Sequence, residues 1–124
     1  MRKILHLFIV LIVTVLMFSN CQDKEPSLVK IFIRNADGNI MSEVDVRLIA
    51  DQVNSPAHSD KQLTNQAGYA LFNLDTYFAA NFEKREAKAA DFIVYIKKDA
   101  GLQLVGDLRA RGNQTTEETF KLDN

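Results

Sequence analysis

Apolar and polar residues alternate with a period of two along most of the chain after residue 27. The first segment with this pattern, residues 29–34, has aliphatic side chains at 29, 31 and 33; the second, residues 44–48, has them at 44, 46 and 48. Successive side chains of a β-strand point to opposite faces, so each segment predicts a strand with one buried face. Segments over residues 69–74, 102–108 and 116–122 predict three more strands.

The segment Asp91–Lys98 gives the strongest strand prediction. Phe92, Val94 and Ile96 supply one apolar face, and the intervening positions are also largely apolar. A strand that is apolar on both faces is typical of the middle of a sheet, where both faces are covered. We therefore expect this strand to be central.

Short segments rich in Asn, Asp and Gly separate the predicted strands. Asn35–Asn39 contains the dipeptide Asp37-Gly38, and Asn65–Gly68 ends in a glycine, so both predict tight turns. Asp51–Lys61 is rich in small polar residues and predicts a long surface loop. Six or seven short strands with such turns between them predict an all-β sandwich.

One segment departs from the period of two. Tyr77–Ala90 is rich in Ala, Glu, Lys and Arg, lacks Gly and Pro, and spaces Phe78, Phe82 and Ala89 so that they can share one helical face. It predicts a helix of two to three turns between strands. Two roles are open for this helix: a cap over one end of the sandwich, which is the simpler role, or a surface that binds a partner.

The N-terminus has a basic start followed by an apolar run. Arg2 and Lys3 precede residues 4–18, which are interrupted only by His6 and Thr14. A transmembrane helix needs about 20 apolar residues, whereas the apolar region of a secretory signal has about 7 to 15. We therefore expect residues 1–20 to form a signal helix that is removed.

Cys21, the only cysteine, follows this run directly. Ser19 and Cys21 resemble the cleavage motif of bacterial lipoproteins; Phe18 and Asn20 depart from it, although the lipoproteins of the Bacteroidetes are looser at these two places. The resemblance implies that Cys21 carries a diacylglycerol, that its new amino group is acylated, for example with palmitate, and that the chain is anchored in the outer membrane. An uncleaved signal anchor and a buried thiol are the alternatives.

Cysteine count and charge exclude two classes of protein: domains held together by internal disulfides, and strongly basic nucleic-acid binders. A single cysteine cannot form a disulfide within one chain, so packing must hold the domain together. Two of the 15 basic side chains lie in the expected signal, which leaves 13 against 16 acidic ones and a formal charge of about −3. This balance, without clusters of Lys and Arg, excludes a strongly basic nucleic-acid binder.

Residues 21–27 form the expected tether between the lipid and the domain. They are polar and include Pro26, which resists regular structure. Asp23 and Glu25 resemble the acidic stretch that directs surface-exposed lipoproteins of the Bacteroidetes to the outer face; a plain linker is the alternative. Both the periplasmic and the outer side of the membrane are therefore possible locations of the protein. Residues 28–124 form the expected domain.

Two segments of this domain resemble a known family of sandwiches. Residues 44–48 (VDVRL), followed by residues 64–72 (TNQAGYALF), are similar to the carboxypeptidase regulatory-like, or transthyretin-like, β-sandwich, and Asp37-Gly38 fits the same order. The resemblance implies an Ig-like or transthyretin-like antiparallel sandwich of six to seven strands. The loop over residues 51–61 and the helical insertion depart from the family, and the motifs describe turns and packing, so no function follows from them.

Candidate sites in the loops are weak. Asn35, Asp37 and Asn39 alternate oxygen-bearing side chains as calcium loops do, but no glutamate follows at EF-hand spacing, so a hairpin turn is expected. His58 has no cysteine partners for a zinc site and is expected to be a solvated loop residue. Ser55, His58 and Asp60 are crowded in one loop, where a catalytic triad is not expected.

Two further possibilities concern the strands. Lys30 with Asp123 or Asn124 could form an isopeptide bond, but no buried acid is evident between them, so a solvated Lys30 is expected. Tyrosines could stack on sugars, although Trp, which has the largest stacking face, is absent. Core packing is the better expectation for most of the three tyrosines, which are Tyr69, Tyr77 and Tyr95.

The sequence thus predicts no catalytic residues, no metal site and no cofactor. The expected function is that of a membrane-anchored envelope lipoprotein, a non-enzymatic binding or accessory module that presents loops or an edge strand to an envelope protein or ligand. The membrane, through the lipid on Cys21, and an envelope protein are the expected partners. A small envelope enzyme or enzyme inhibitor with an unrecognised site is the alternative.

Overall fold

The computed structural model describes residues 2–7, 9, 25–82, 88–99 and 101–123 of the chain. Residues 2–7 and 9 are helical, and their apolar side chains are exposed. Among the described residues, no helix has the length and the apolar composition needed to cross a membrane. Most of the predicted signal peptide 1–20, and Cys21 itself, lie outside the described residues, so both stay predictions.

Seven strands and one further helix make up the described chain from residue 25 onward. Their bounds are β1 Leu28–Arg34, β2 Asp45–Ala50, β3 Ser59–Leu63, β4 Tyr69–Asn73, α1 Asp75–Asn81, β5 Ala89–Lys98, β6 Gly101–Arg111 and β7 Thr115–Lys121. One sheet has the order β4-β1-β7 and the other the order β3-β2-β5-β6. The predicted all-β sandwich is confirmed.

The neighbouring strands pair antiparallel, except that β1 and β7 run parallel. β5 lies between β2 and β6, which confirms the central position predicted from its two apolar faces. The alternating residues of β1, β2 and β5 that were expected to be buried are buried, and they meet between the two sheets. Val44, expected on the buried face of the second strand, lies just before β2 and is half-buried against the core. The largest fully buried side chains are Phe72, Phe78, Phe92, Ile31, Ile33, Leu48, Leu74, Val29, Val46 and Val94.

The strand directions give the sandwich two distinct ends. β1 begins at Leu28, directly after the predicted tether, and we call this the tether end; it also carries the loop 51–58, α1 and the turn 112–114. β1 ends at Arg34, and we call this the far end; it carries the loops 35–44 and 64–68, the β5–β6 turn and residues 122–123. At about 3.3 Å per residue, the seven residues of β1 separate the two ends by about 20 Å.

The helix is shorter than predicted and lies earlier in the chain. It covers Asp75–Asn81 and not Tyr77–Ala90, and Phe82 already has extended backbone angles. Ala89, expected on the helical face, is the first residue of β5 because its backbone pairs with Arg111. Residues 83–87 of the predicted helix lie outside the described residues. Phe78 is buried and Phe82 packs against the core, as a cap at this end requires.

The predicted surface loop over Asp51–Lys61 ends earlier than expected. β3 starts at Ser59 and pairs with β2, where Leu48 lies opposite Asp60. Sequence patterns miss this strand because it lies at the edge of its sheet and four of its five residues are exposed, so it lacks the apolar alternation of a strand with a buried face.

The leucines of β6 do not share one face. Leu102 and Leu104 lie opposite Lys97 and Tyr95 and are exposed, whereas Leu108 lies opposite Phe92 and is buried. A register shift between Val94 and Tyr95 leaves Val105 without a partner on β5. Such a bulge reverses the alternation of side chains beyond it. Leu104 and Leu108, which are four residues apart on either side of the bulge, therefore point to opposite faces.

Candidate functional site

The far end contains a groove with an apolar floor and a charged rim. Its volume is about 500 Å³. The apolar lining comes from Met41, Val44, Ile96 and Leu122, and the charged lining comes from Glu43, Asp45, Asp99, Asp123, Lys97 and Lys98. Three separate parts of the chain build it: the β1–β2 loop, the end of β5 with its turn, and the residues after β7.

Thr64 fixes the loop that forms one wall of this groove. Its hydroxyl donates to the Met41 carbonyl over 2.7 Å and accepts the Val44 N–H over 2.9 Å. Its carbonyl accepts the Glu43 N–H over 2.8 Å. Because Thr64 is buried, these bonds hold the wall without competition from water.

Two non-glycine residues of the groove have left-handed backbone angles. Glu43 has φ 59° and Asp99 has φ 50°. This region costs a residue with a Cβ about 1–2 kcal/mol, so the tertiary structure must hold both residues in place.

The charge of the rim is predominantly negative. Asp45 is paired with Arg47, with 3.3 Å between Oδ1 and Nε. Within the described residues, Glu43, Asp99 and Asp123 form no ion pair, and no group of three or more His, Cys, Asp or Glu side chains could hold a metal ion. The groove can therefore bind a ligand through apolar contact and charge.

Asn35, Asp37 and Asn39 form the predicted hairpin turn. The Asn35 side-chain oxygen accepts the Asp37 N–H over 3.0 Å and the Asn39 N–H over 2.9 Å. Gly38 has φ 87°, a conformation that glycine adopts at low cost. The Asn35 oxygen is occupied by its own backbone, so the turn explains the alternation of oxygen-bearing residues.

His58 is not the solvated residue that the sequence predicted. Its ring centroid lies 5.0 Å from that of Tyr77 and 6.1 Å from that of Phe92. Its Nε2 is buried and has no hydrogen-bond partner among the described residues. The prediction was wrong because α1, which is distant in sequence, packs Tyr77 against the ring, so that His58 is half-buried and its Nε2 is shielded from water.

Ser55 and Asp60 do not join His58 in a catalytic arrangement. The Ser55 hydroxyl oxygen accepts the Asp91 N–H over 2.8 Å, which attaches the loop to the start of β5. Asp60 accepts the N–H of Lys61 over 2.8 Å. No hydrogen bond joins these three side chains, and Ser55 and Asp60 each bond to a backbone N–H instead, so the structure does not assemble the triad that the sequence analysis considered and did not expect.

Lys30 is half-buried on the outer face of its sheet. Its Nζ lies 3.8 Å from a Glu117 carboxylate oxygen and 5.1 Å from the centroid of the Tyr69 ring. Asp123 follows β7 six residues beyond Glu117, the residue opposite Lys30. Lys121, the last residue of β7, already lies opposite Arg34, about 13 Å along the strand from Lys30, and Asp123 lies beyond it, so Lys30 and Asp123 cannot form an isopeptide bond in this fold. Asn124 lies outside the described residues.

Tyr77 is part of the core and cannot stack on a sugar. It is 5 % exposed, and its hydroxyl donates to the Pro56 carbonyl over 2.9 Å. Burial raises the pKa of this hydroxyl above its usual value. Tyr69 and Tyr95 are half-buried, and the Tyr69 ring packs against Phe32 at 5.2 Å.

The end of the predicted tether is integrated into the domain. Ser27 is buried, its N–H donates to an Asp75 carboxylate oxygen over 2.7 Å, and its hydroxyl accepts the Asn113 N–H over 2.7 Å. The point where the chain enters the fold is therefore fixed against α1 and the turn 112–114. Cys21, the predicted lipid attachment site, lies six residues earlier, outside the described residues.

Sequence reasoning missed the groove because no local pattern marks it. Its lining comes from residues 35–45, 96–99 and 122–123, which only the sandwich brings together. No protein-family model matches this chain, and no curated protein matches it significantly.

Proposed function

We propose that this chain is a lipoprotein of the bacterial cell envelope, anchored through a lipid on Cys21, whose sandwich acts as a non-enzymatic binding module. The basic start, the apolar run and the single cysteine support the anchor. The outer membrane is the proposed location, with the domain facing the periplasm or the exterior.

The observation that carries this proposal is the position of the groove relative to the tether. The chain enters the domain at Ser27, at the tether end, whereas the groove lies at the far end, about 20 Å away along β1. A domain attached to a membrane at its tether end presents its far end to the surroundings. The groove is thus placed where a ligand or an envelope protein can reach it.

Binding is a better proposal than catalysis because of the groups at the groove. Its rim carries carboxylates and lysines, which can act as acids, bases or nucleophiles, but within the described residues no ion pair joins one of these carboxylates to one of these lysines. Covalent or acid–base catalysis needs a nucleophile or a base aligned with a partner group. An apolar floor with charged groups around it is typical of a recognition surface.

Lipid labelling tests the anchor. Cells that produce the full chain are grown with an alkyne-bearing palmitate, and the protein is isolated from carbonate-washed membranes. We expect label and membrane retention in the wild type and loss of both in Cys21→Ala, with Ser19→Thr as the control that keeps the cysteine. Retention of Cys21→Ala in washed membranes would instead support an uncleaved signal anchor.

Photocrosslinking tests the binding end. A photoreactive phenylalanine replaces Asp99 at the groove or, as the control, Val53 at the tether end, where the side chain is 89 % exposed. We expect a discrete adduct from position 99 in intact cells and none from position 53. Adducts of equal yield at both positions would contradict a binding site at the far end.

A further inference from the structure

The outer face of the four-stranded sheet has an apolar composition. Its outward-pointing aliphatic and aromatic side chains are those of Ile49, Leu63, Ile93, Tyr95, Leu102 and Leu104. The three leucines are 48 % to 62 % exposed, and the other three residues are half-buried. The free face of an antiparallel sheet is normally polar, so apolar side chains clustered on it mark a surface that another molecule covers.

The charged residues of this face balance one another. The basic ones are Arg47, Lys61, Lys97 and Arg109, and the acidic ones are Asp45, Asp51, Asp91 and Asp107. Two ion pairs lie within the face, Asp45 with Arg47 and Asp91 with Arg109. A balanced face does not select a strongly charged partner and does not repel a second copy of itself. The occupant therefore has to match the arrangement of the charges and not their sum.

The strand register places the outward residues of the two central strands at shared levels. From the far end, these levels are Asp45 with Lys97, Arg47 with Tyr95, and Ile49 with Ile93. The first level continues the paired ladder by one residue beyond Val46 and Ile96. On the outer strands, Leu63 and Leu102 also lie at this first level.

A twofold axis along the strands, through the centre of this face, fixes how a second copy would lie on it. The rotation places β2 of one copy over β5 of the other and β3 over β6. It moves no residue along the axis, so every residue stays at its own level. Packed sheets lie about 10 Å apart and cross at about 30°, which shifts the central strands very little.

This rotation brings complementary side chains together. The facing pairs on the central strands, one residue from each copy, are Asp45 with Lys97, Arg47 with Tyr95, and Ile49 with Ile93. They give opposite charges, a cation–π contact and an aliphatic contact, and the symmetry forms each of them twice. Leu63 faces Leu102 on the outer strands. A pair of like charges, Asp51 with Asp91, arises at the tether end, where Asp91 already pairs with Arg109 over 3.2 Å.

The outer face of the three-stranded sheet does not allow the same arrangement. Its central strand is β1, so a twofold axis through its centre would place β1 over itself. Lys30 would then face Lys30 of the second copy, and Arg34 would face Arg34. Like charges at a contact oppose association, so self-complementarity distinguishes the four-stranded sheet from the other face.

The rotation also agrees with anchoring in one membrane. It turns the molecule about the strand direction, so the tether ends of both copies stay on the same side. The two far-end grooves then lie side by side and point away from the membrane. Copies that share a membrane meet at a raised effective concentration, which favours a contact as small as one sheet face.

We propose that this protein forms a twofold dimer through the outer face of the sheet β3-β2-β5-β6, with β2 of each copy over β5 of the other. This inference goes beyond the proposed binding function, and the contact does not depend on what the groove binds. Asp45 and Lys97 lie on the groove rim as well, so the dimer contact borders both grooves.

Photocrosslinking of the full chain in intact cells tests what covers this face. A photoreactive phenylalanine replaces Tyr95 or, as the control, Leu71, which is 43 % exposed on the outer face of the three-stranded sheet. We expect an adduct of twice the chain mass from position 95, joined to β2 of the second copy, and none from position 71. An adduct with a different protein, or equal dimer yield from both positions, would overturn the proposal.

Charge reversal tests the pairing of Asp45 with Lys97. Asp45→Lys and Lys97→Asp each place like charges in contact across the dimer, so each variant alone should lose at least about tenfold in dimer affinity. An equal mixture of the two restores opposite charges at both contacts and should form a mixed dimer of nearly wild-type affinity. Sedimentation of the full chain in detergent micelles measures the affinities, and circular dichroism confirms that each variant is folded.

Glu117→Lys and Lys121→Glu, at exposed positions of β7, are the matched controls and should leave the dimer affinity unchanged. A mixture of folded charge variants that stays monomeric would overturn the proposed pairing, as would a loss of equal size in the controls. Lipid labelling of Cys21 and crosslinking at Asp99 are measured separately. A failure of the dimer is therefore distinguishable from a failure of the anchor or of the groove.

Discussion

At the scale of single residues, Tyr77 and His58 decide how the tether end is packed. The Tyr77 ring contacts the rings of His58, Phe78, Phe82 and Phe92 at centroid distances of 5.0 to 6.2 Å. Its hydroxyl is bonded to the loop 51–58 through Pro56. One side chain therefore connects α1, this loop and β5.

Tyr77→Phe tests the contribution of this hydroxyl. The change leaves the Pro56 carbonyl without its donor, and we expect a loss of about 1 kcal/mol in the free energy of unfolding at neutral pH. Burial raises the pKa of Tyr77 in the folded state. The stability that Tyr77 contributes is therefore complete below the unfolded pKa of about 10 and is lost as pH rises through the raised folded value.

Urea unfolding between pH 7 and 11 measures this effect. The wild type should lose stability above pH 10 more steeply than Tyr77→Phe, so the two curves should converge. Tyr95→Phe, which keeps Tyr77, is the control and should follow the wild-type profile. A constant difference between wild type and Tyr77→Phe across this range would contradict the expectation.

His58→Phe tests the cost of the buried Nε2. A phenyl ring keeps the aromatic contacts with Tyr77 and Phe92 and removes a polar atom that has no hydrogen-bond partner among the described residues. We expect the free energy of unfolding to rise by about 1 kcal/mol, measured by thermal unfolding at neutral pH. A decrease of that size would indicate that Nε2 has a partner in solution.

At the scale of elements, the β1–β2 loop is shaped by a residue far from it in sequence. Thr64, between β3 and β4, bonds to Met41, Glu43 and Val44 and so determines where the groove wall lies. The groove thus depends on a buried polar contact as well as on apolar packing.

Thr64→Val tests this dependence. Valine has nearly the same shape, but it leaves the Met41 carbonyl and the Val44 N–H without partners, so we expect a loss of about 1–3 kcal/mol in the free energy of unfolding. Thr115→Val, at an exposed position on β7, is the control and should change it by less than about 0.5 kcal/mol. An equal effect of both substitutions in urea unfolding would contradict the role given to Thr64.

At the scale of the whole molecule, two sheets enclose one core and α1 covers its tether end. Phe78 is 2 % exposed and lies 5.4 Å from Phe82, ring centroid to ring centroid. The helix therefore contributes to the core of the sandwich, as the cap interpretation of this segment requires.

The double variant Phe78→Asp with Phe82→Asp should unfold the domain, because it places an unpaired carboxylate in the core and removes two large apolar side chains. Circular dichroism with heating measures the result. Thr76→Asp with Ala79→Asp, at exposed positions of the same helix, should stay folded. A folded double phenylalanine variant that lost only a binding partner would support the partner-binding role instead.

The sequence by itself determined the strands that have one buried face, the central position of β5 and the hairpin turn at Asn35–Asn39. These follow from local rules, because the alternation of side chains in a strand and the conformational freedom of Gly38 depend on neighbouring residues alone. The sequence also supplied the anchoring prediction at Cys21, which lies outside the described residues.

Only the tertiary structure decided which strands lie at edges, where the far-end groove forms and why His58 is shielded. The polar strand β3 exists because β2 offers a partner, and Leu102 and Leu108 face opposite sides because of the bulge at Val105. These features depend on contacts between residues far apart in the chain. A local pattern cannot specify them, since the energy that selects them arises only when the sheets pack together.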